Sequence, residues 1–187
     1  MSARRRAAAI AVVLGLAWPL LAAERTPVVL ELRVEAARRV PDRRLDDLAR
    51  TLRVRLARNE CGLVIREPSA RDAGPGSPAD LFAVLRVENW RETREPGGRP
   101  VFDPSTGGDR PGWEVLTEID ARLTIRRPGR ERPLYDRERR ASARVGTMPI
   151  QTFDPAVESR RRAVEWLLRD VERRLCRAAR SARRAVR

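Results

Sequence analysis

Arginine is the residue type whose number and spacing suggest the chemistry of this chain. All 40 basic residues are arginine, and with 26 acidic residues they leave a formal net charge of +14. Guanidinium groups bind phosphate and carboxylate through planar, two-pronged contacts. The composition therefore favours an anionic ligand such as phosphate, an acidic lipid headgroup or an acidic glycan. A GC-rich genome would produce the same excess of arginine without any function.

The arginines are densest at the C-terminus, where seven of them occupy the last 15 residues. If this segment is helical, five of them line one side: Arg173, Arg177, Arg180, Arg184 and Arg187. Such a row would bind an anionic membrane surface or lipopolysaccharide, with each cation contributing about 1 kcal/mol. The alternative is a solvated helix end whose cations interact with the helix dipole. We expect removal of this tail, residues 177–187, to leave the fold intact and to weaken lipid binding.

The missing residue types exclude several classes of catalysis. The sequence has no histidine and no lysine, so it lacks the Ser-His-Asp triad, Cys-His pairs, the phosphate-binding lysine loop and Schiff-base chemistry. Two cysteines are too few for a zinc site, and we expect no metal and no cofactor. Catalysis would depend on carboxylates, as in a secreted hydrolase with an acid pair such as Asp103 and Asp109. The sequence shows no recognisable catalytic spacing, and we expect a protein that is not an enzyme.

The two cysteines, Cys61 and Cys176, are far apart in the sequence. In an exported protein they are expected to form one disulfide between the end of the first helix and the end of the last. Two unpaired buried thiols are the alternative.

The first 23 residues have the pattern of a secretory signal peptide. Three arginines at positions 4–6 precede an apolar run, which ends in the small residues Ala22 and Ala23. Cleavage after Ala23 would release a periplasmic or secreted chain of net charge +11, for which nucleic acid is not an expected partner. The apolar run is shorter than the roughly 20 residues that span a bilayer. An uncleaved membrane anchor remains the alternative.

The rest of the chain, residues 24–187, is predicted to be a single α+β domain. Apolar residues alternate with polar ones in the strand segments and recur every three or four residues in the helices. The predicted order is β-α-β-β-β-β-α, with a mostly antiparallel sheet of four to five strands and two long helices packed on one face. The predicted helices cover residues 42–60 and about 154–179, and the clearest strands cover residues 28–35, 81–90 and 113–126.

Residues 91–112 are predicted to form a long, mobile loop, because they contain five glycines and four prolines. Trp90 and Trp113 flank the segment and Phe102 lies inside it. Exposed aromatic side chains often contact a protein partner, so these three residues form a candidate partner-binding loop. A Pro/Gly-rich connection that contacts nothing is the alternative.

The layout resembles small accessory proteins of the Gram-negative envelope. These families share the signal peptide, the strand–helix–strand start, the antiparallel strands around a polar loop and a closing arginine-rich helix, here Ala156 to Leu175. The closest are the lipopolysaccharide-assembly lipoprotein and the auxiliary lipoproteins of ABC-type transport systems. They carry a lipidated cysteine after the signal, where this chain has Glu24. The resemblance implies a non-catalytic periplasmic binding module that contacts an envelope protein and anionic lipid or glycolipid.

Overall fold

The computed structural model describes residues 27–37, 40–59, 61–66, 79–148 and 154–184. The predicted signal peptide and Arg187 lie outside the described residues. Seven strands and two helices are assigned within these ranges: β1 (Val28–Ala36), α1 (Asp42–Arg58), β2 (Leu63–Arg66), β3 (Leu81–Pro96), β4 (Val101–Asp103), β5 (Gly108–Arg110), β6 (Trp113–Arg126), β7 (Tyr135–Gly146) and α2 (Pro155–Arg184).

The main sheet has five strands in the order β2-β1-β3-β6-β7. The central strand pairings, β3 with β6 and β6 with β7, are antiparallel and long. β1 pairs in parallel with β2 on one side and with β3 on the other. The first of these pairings is parallel because α1 forms the crossover between β1 and β2. This architecture confirms the predicted α+β class and the order of its elements, and it makes the sheet mixed.

Both helices cover the same face of the sheet. Alternate residues of the strands point toward them, which is why β6 reads as a nearly strict alternation of apolar and polar residues. α1 contributes the buried side chains Leu48, Leu52 and Leu56. The largest fully buried side chains from the sheet and α2 complete the core: Leu30, Leu32, Leu81, Leu85, Ile119, Leu123, Ile125, Leu167 and Leu168.

Residues 91–112 form the predicted loop only in part, because strands occupy residues 91–96, 101–103 and 108–110. β3 continues to Pro96 and pairs with β6 over its whole length. A bulge between Val87 and Asn89 shifts the alternation of side chains. Beyond Trp90 the inward-facing positions of β3 are the polar Glu92 and Arg94, so this part of the strand lacks a hydrophobic pattern. Residues 101–110 form the two-stranded β4–β5 hairpin. The connection that leads from β3 into this hairpin requires a glycine at position 98. A Cβ on Gly98, which has φ +77°, would lie 2.8 Å from the carbonyl oxygen of Trp113.

The C-terminal segment predicted as an arginine-rich tail belongs to the folded core as far as Arg184. α2 continues to that residue, and Ala178, Ala179 and Ala182 are buried on its inner side. The guanidinium of Arg183 donates hydrogen bonds to the carbonyl oxygens of Cys61 (2.6 Å) and Gly62 (2.9 Å). Small alanines let the last turns of α2 approach the sheet, so this segment is structural as well as cationic.

The expected disulfide between Cys61 and Cys176 is present, with Cα atoms 5.4 Å apart. It joins the connection between α1 and β2 to the middle of the C-terminal half of α2. The same region is held by Glu172 on α2, whose carboxylate contacts Arg55 (3.3 Å) and Asn59. The end of α1 is therefore fixed against α2 by covalent and polar contacts together.

Candidate functional site

The exposed side of α2 carries a continuous row of arginines. Positions three and four residues apart lie on the same side of a helix, and seven consecutive positions of this kind are exposed. We call them the arginine stripe: Arg162, Trp166, Arg169, Arg173, Arg177, Arg180 and Arg184. Four of the five arginines predicted from the sequence belong to it, and Arg187 lies outside the described residues. The stripe is longer than predicted, since it extends about three turns further toward the N-terminus of the helix, from Arg173 to Arg162.

The two halves of the stripe differ in their ion pairs. In the N-terminal half, Arg162, Arg169 and Arg173 contact carboxylates of the same helix at 2.7, 2.5 and 3.6 Å. Hydrogen bonds from Arg161 and Arg162 lower the pKa of one of these carboxyls, Glu158, to about 2. Within the described part of the chain, the C-terminal half makes no ion pair, so Arg177, Arg180 and Arg184 present uncompensated charges to solvent.

Trp166 is the apolar member of the stripe, and the sequence analysis did not identify it as a functional residue. Its side chain is 48% exposed, and Val157, near the start of the same helix, is 55% exposed. Trp166 lines a groove of about 670 Å³ together with Asn59, Cys176, the carboxylate residue Glu172 and the four arginines Arg169, Arg173, Arg177 and Arg180. The signal was its spacing: Trp166 lies three residues before Arg169 and seven before Arg173.

The aromatic residues predicted as a partner-binding loop do not come together. Trp90 is half-buried against the core and opposite Ile119, whereas Trp113 is paired with Pro96 at the far end of the strands. The guanidinium of Arg94 lies 3.6 Å from the centre of the Trp113 ring. Phe102 alone is widely exposed, at 58%, on the β4–β5 hairpin. The segment therefore contains one exposed aromatic side chain rather than a cluster of three.

The buried carboxylates are bound by arginines and show no catalytic arrangement. Asp103 accepts hydrogen bonds from Arg110 and from the Ser105 hydroxyl and amide, and these contacts hold its pKa below the usual range. Asp170 lies on the buried side of α2, with the Nε atom of Arg139 3.0 Å from its carboxylate. In the described residues, no group of three His, Cys, Asp or Glu side chains is arranged to hold a metal ion.

Among the described residues, no element covers the face of the sheet opposite the helices. A shallow groove of about 860 Å³ runs across β1, β3, β6 and β7, with Phe82 and Val84 at its centre. The surrounding side chains carry both signs of charge and form local ion pairs, among them Arg122 with Asp136 at 2.8 Å and Arg33 with Glu31 at 2.7 Å. This face is mixed in charge, in contrast with the C-terminal half of the stripe on α2, whose exposed charged residues are all arginines.

Comparisons with known proteins reveal similarity at the level of the fold. No protein-family model matches the sequence, and no curated protein matches it either. The chain is similar to the solved structure of the hypothetical protein CT253 from Chlamydia trachomatis, with 12% identity and a TM-score of 0.50 over 83% of this chain and 99% of that one.

A minor lipoprotein from Acinetobacter baumannii also has a related structure. It is 17% identical, with a TM-score of 0.44 over 79% of this chain and 93% of that one. Bacterial lipoproteins are among the solved structures to which the chain is similar. Identities this low concern the fold alone. In the described residues, no helix is long and apolar enough to cross a membrane.

Proposed function

We propose that this protein is a non-catalytic binding module of the bacterial envelope that docks on anionic lipid through the arginine stripe of α2. The single observation that carries the proposal is the continuous row of exposed guanidinium groups with Trp166 among them. The signal-peptide pattern of residues 1–23 supports an export route to the periplasm. The open sheet face remains available for the envelope protein that the element order suggested as a partner.

The dimensions of the stripe fit a flat surface better than a small ligand. It spans 22 residues of helix, which is about 33 Å at 1.5 Å per residue. Several lipid headgroups would lie under such a row at once, whereas one phosphate would contact one or two guanidinium groups. Trp166 adds an amphipathic ring of the kind that binds at the boundary between headgroups and acyl chains.

The alternative, a carboxylate-based hydrolase, finds less support. Glycoside hydrolysis requires two carboxyl groups that face each other across a cleft. Asp103 is bound by Arg110 and Ser105, and its hairpin neighbour Asp109 is exposed and opposite Phe102. Glu92 and Asp170 each have arginine partners as well. Carboxylates engaged in this way favour a structural role over proton transfer.

The test is binding of the purified chain, without residues 1–23, to lipid vesicles. We expect cosedimentation with vesicles of phosphatidylcholine mixed with phosphatidylglycerol, and none with phosphatidylcholine alone. Replacing Arg177, Arg180 and Arg184 by glutamine removes three cations near the surface, so affinity should fall on the order of 100-fold. Binding should also weaken as salt is added, because exposed charges are screened.

The matched control changes three arginines on the open sheet face, Arg33, Arg86 and Arg126, to glutamine. It removes the same charge and leaves the stripe intact, so binding should stay close to that of the wild type. Equal losses in the two triple variants would mean that net charge, and no particular surface, attracts the protein. Absence of any binding to anionic vesicles would overturn the proposal.

A further inference from the structure

The sheet ends at β7 in a long edge that no described strand covers. β7 pairs with β6 through 12 consecutive register positions without a bulge. The backbone amide and carbonyl groups of every second residue of β7 therefore point away from β6, toward the outer edge of the sheet. The opposite edge, β2, has only four residues. Long straight edges are the places where sheets add another strand. β7 is therefore the part of this sheet best suited to pair with a further strand.

We propose that β7 pairs with β7 of a second copy of this chain, antiparallel and centred on Ala141, to form a symmetric dimer. This inference does not depend on the proposed lipid binding, because it concerns a different surface. The dimer would extend the sheet across both copies. Self-pairing of this kind requires that the edge be complementary to its own reverse.

Symmetry limits the possible registers. A two-fold axis that makes two strands antiparallel is perpendicular to the sheet, so residues facing each other point to the same side. The axis must then pass midway between one residue of β7 and the same residue of the second copy, and we call this residue the centre of the register. Two positions, 140 and 141, allow 11 of the 12 residues of β7 to pair. Centring on Arg140 places two arginines directly opposite each other, which is unfavourable. Centring on Ala141 places no two like charges in opposition.

The preferred register also creates favourable charge pairs. On the open face, the first half of β7 carries the acidic residues Asp136 and Glu138. The following positions on that face are mainly basic, with Arg140 and Arg144. Centring on Ala141 puts Glu138 of one copy opposite Arg144 of the other, twice in each dimer. Arg144 is 55% exposed and 3.2 Å from Glu114, so it is held on the correct face and remains accessible.

Exposed apolar side chains at both ends of β7 point to the same register. Leu134, just before the strand, is 37% exposed, and Met148, just after it, is 51% exposed. Both are even-numbered, like the residues of β7 that face the open side. With the axis at Ala141, Leu134 of one copy is opposite Met148 of the other at each end of the interface. Their mutual burial would stabilise the dimer.

The test is sedimentation velocity over a range of protein concentrations, combined with charge exchange. We expect a monomer–dimer equilibrium. The Glu138→Arg and Arg144→Glu variants each create two like-charge oppositions, so each should raise the dimer Kd by about tenfold or more. A mixture of the two single variants restores opposite charges in both pairs, and so does the double variant. Both should dimerise as well as the wild type.

The matched control is Glu35→Arg, which makes the same charge change as Glu138→Arg but lies on β1, three strands away from β7. It should leave the dimer Kd unchanged. Register is read from disulfide trapping: Arg140→Cys mixed with Ser142→Cys should crosslink, whereas Arg140→Cys alone should not. A wild-type chain that stays monomeric at every concentration overturns the proposal. So does a dimer that is insensitive to the exchanges, or one trapped by Arg140→Cys alone.

Discussion

At the scale of single residues, Glu92 shows how arginines organise the interior of this protein. Its carboxylate receives hydrogen bonds from Arg160 on α2 at 2.9 and 3.0 Å, and Arg44 on α1 lies at 3.0 Å. Burial by itself raises the pKa of Glu92, but the hydrogen bonds from Arg160 and Trp90 and the two positive charges outweigh it and lower the pKa below 4.5. One carboxylate on β3 thereby joins both helices to the sheet.

We expect Glu92→Gln to destabilise the protein at neutral pH by about 2 kcal/mol, because two arginines lose their shared counter-ion. A carboxyl whose pKa is lowered by folding stabilises the native state above its unfolded pKa, and this contribution is lost as the pH falls. The difference between wild type and variant should therefore shrink below pH 4.5. Urea unfolding at several pH values measures it. Glu88→Gln, on the exposed face of β3, is the control, and a pH-independent difference would contradict the assignment.

At the scale of elements, the C-terminal turns of α2 have two roles on two sides. The outer side carries Arg177, Arg180 and Arg184 of the stripe. The inner side carries three buried alanines, and Arg183 binds the carbonyl oxygens that follow α1. This packing changes the expectation drawn from the sequence, in which residues 177–187 were dispensable for folding.

We expect deletion of residues 177–187 to lower the free energy of unfolding by about 3 kcal/mol, from the lost burial of the alanines and the lost hydrogen bonds of Arg183. Chemical denaturation followed by circular dichroism measures the change. Deletion of residues 185–187 alone is the control and should have little effect. If the longer deletion unfolds at the same denaturant concentration as the full chain, the inner side of these turns contributes nothing to stability.

At the scale of the whole molecule, the disulfide closes a long loop that contains every strand after α1. Cys61 and Cys176 are separated by 115 residues, so the bond restricts the unfolded chain over most of its length. It also fixes the end of α1 beside the groove that contains Trp166. Because the groove beside the stripe is lined by Asn59 at the end of α1 as well as by residues of α2, its shape depends on a contact that is distant in sequence.

We expect the paired Cys61→Ser and Cys176→Ser variant to lose about 4 kcal/mol of stability, the order expected for a loop of this length. Denatured wild-type protein should show no reactive thiol under non-reducing conditions, and two after reduction. Thiol titration and urea unfolding check the two statements. Two free thiols without reductant would show that the bond does not form in the purified protein.

Local patterns were sufficient to predict much of this architecture. The alternation in β6 and the three- and four-residue spacing in both helices follow from which face of an element is buried. The same spacing places Arg173, Arg177, Arg180 and Arg184 on one side of α2, because helical periodicity needs no tertiary information. The pairing of two distant cysteines could be predicted only because there are no others in the chain.

Other features depended on contacts between residues far apart in sequence. Residues 91–96 look like a loop because the neighbours that satisfy them, such as Arg160 for Glu92, lie on other elements. The aromatic residues separate because the register of β3 and β6 decides which of them are opposite. The sequence by itself determined the class of fold, the composition and the cationic side of α2, since these follow from local periodicity. Tertiary structure alone decided that the last turns of α2 are part of the core and that β7 lies at the edge of the described sheet, because both depend on which elements become neighbours.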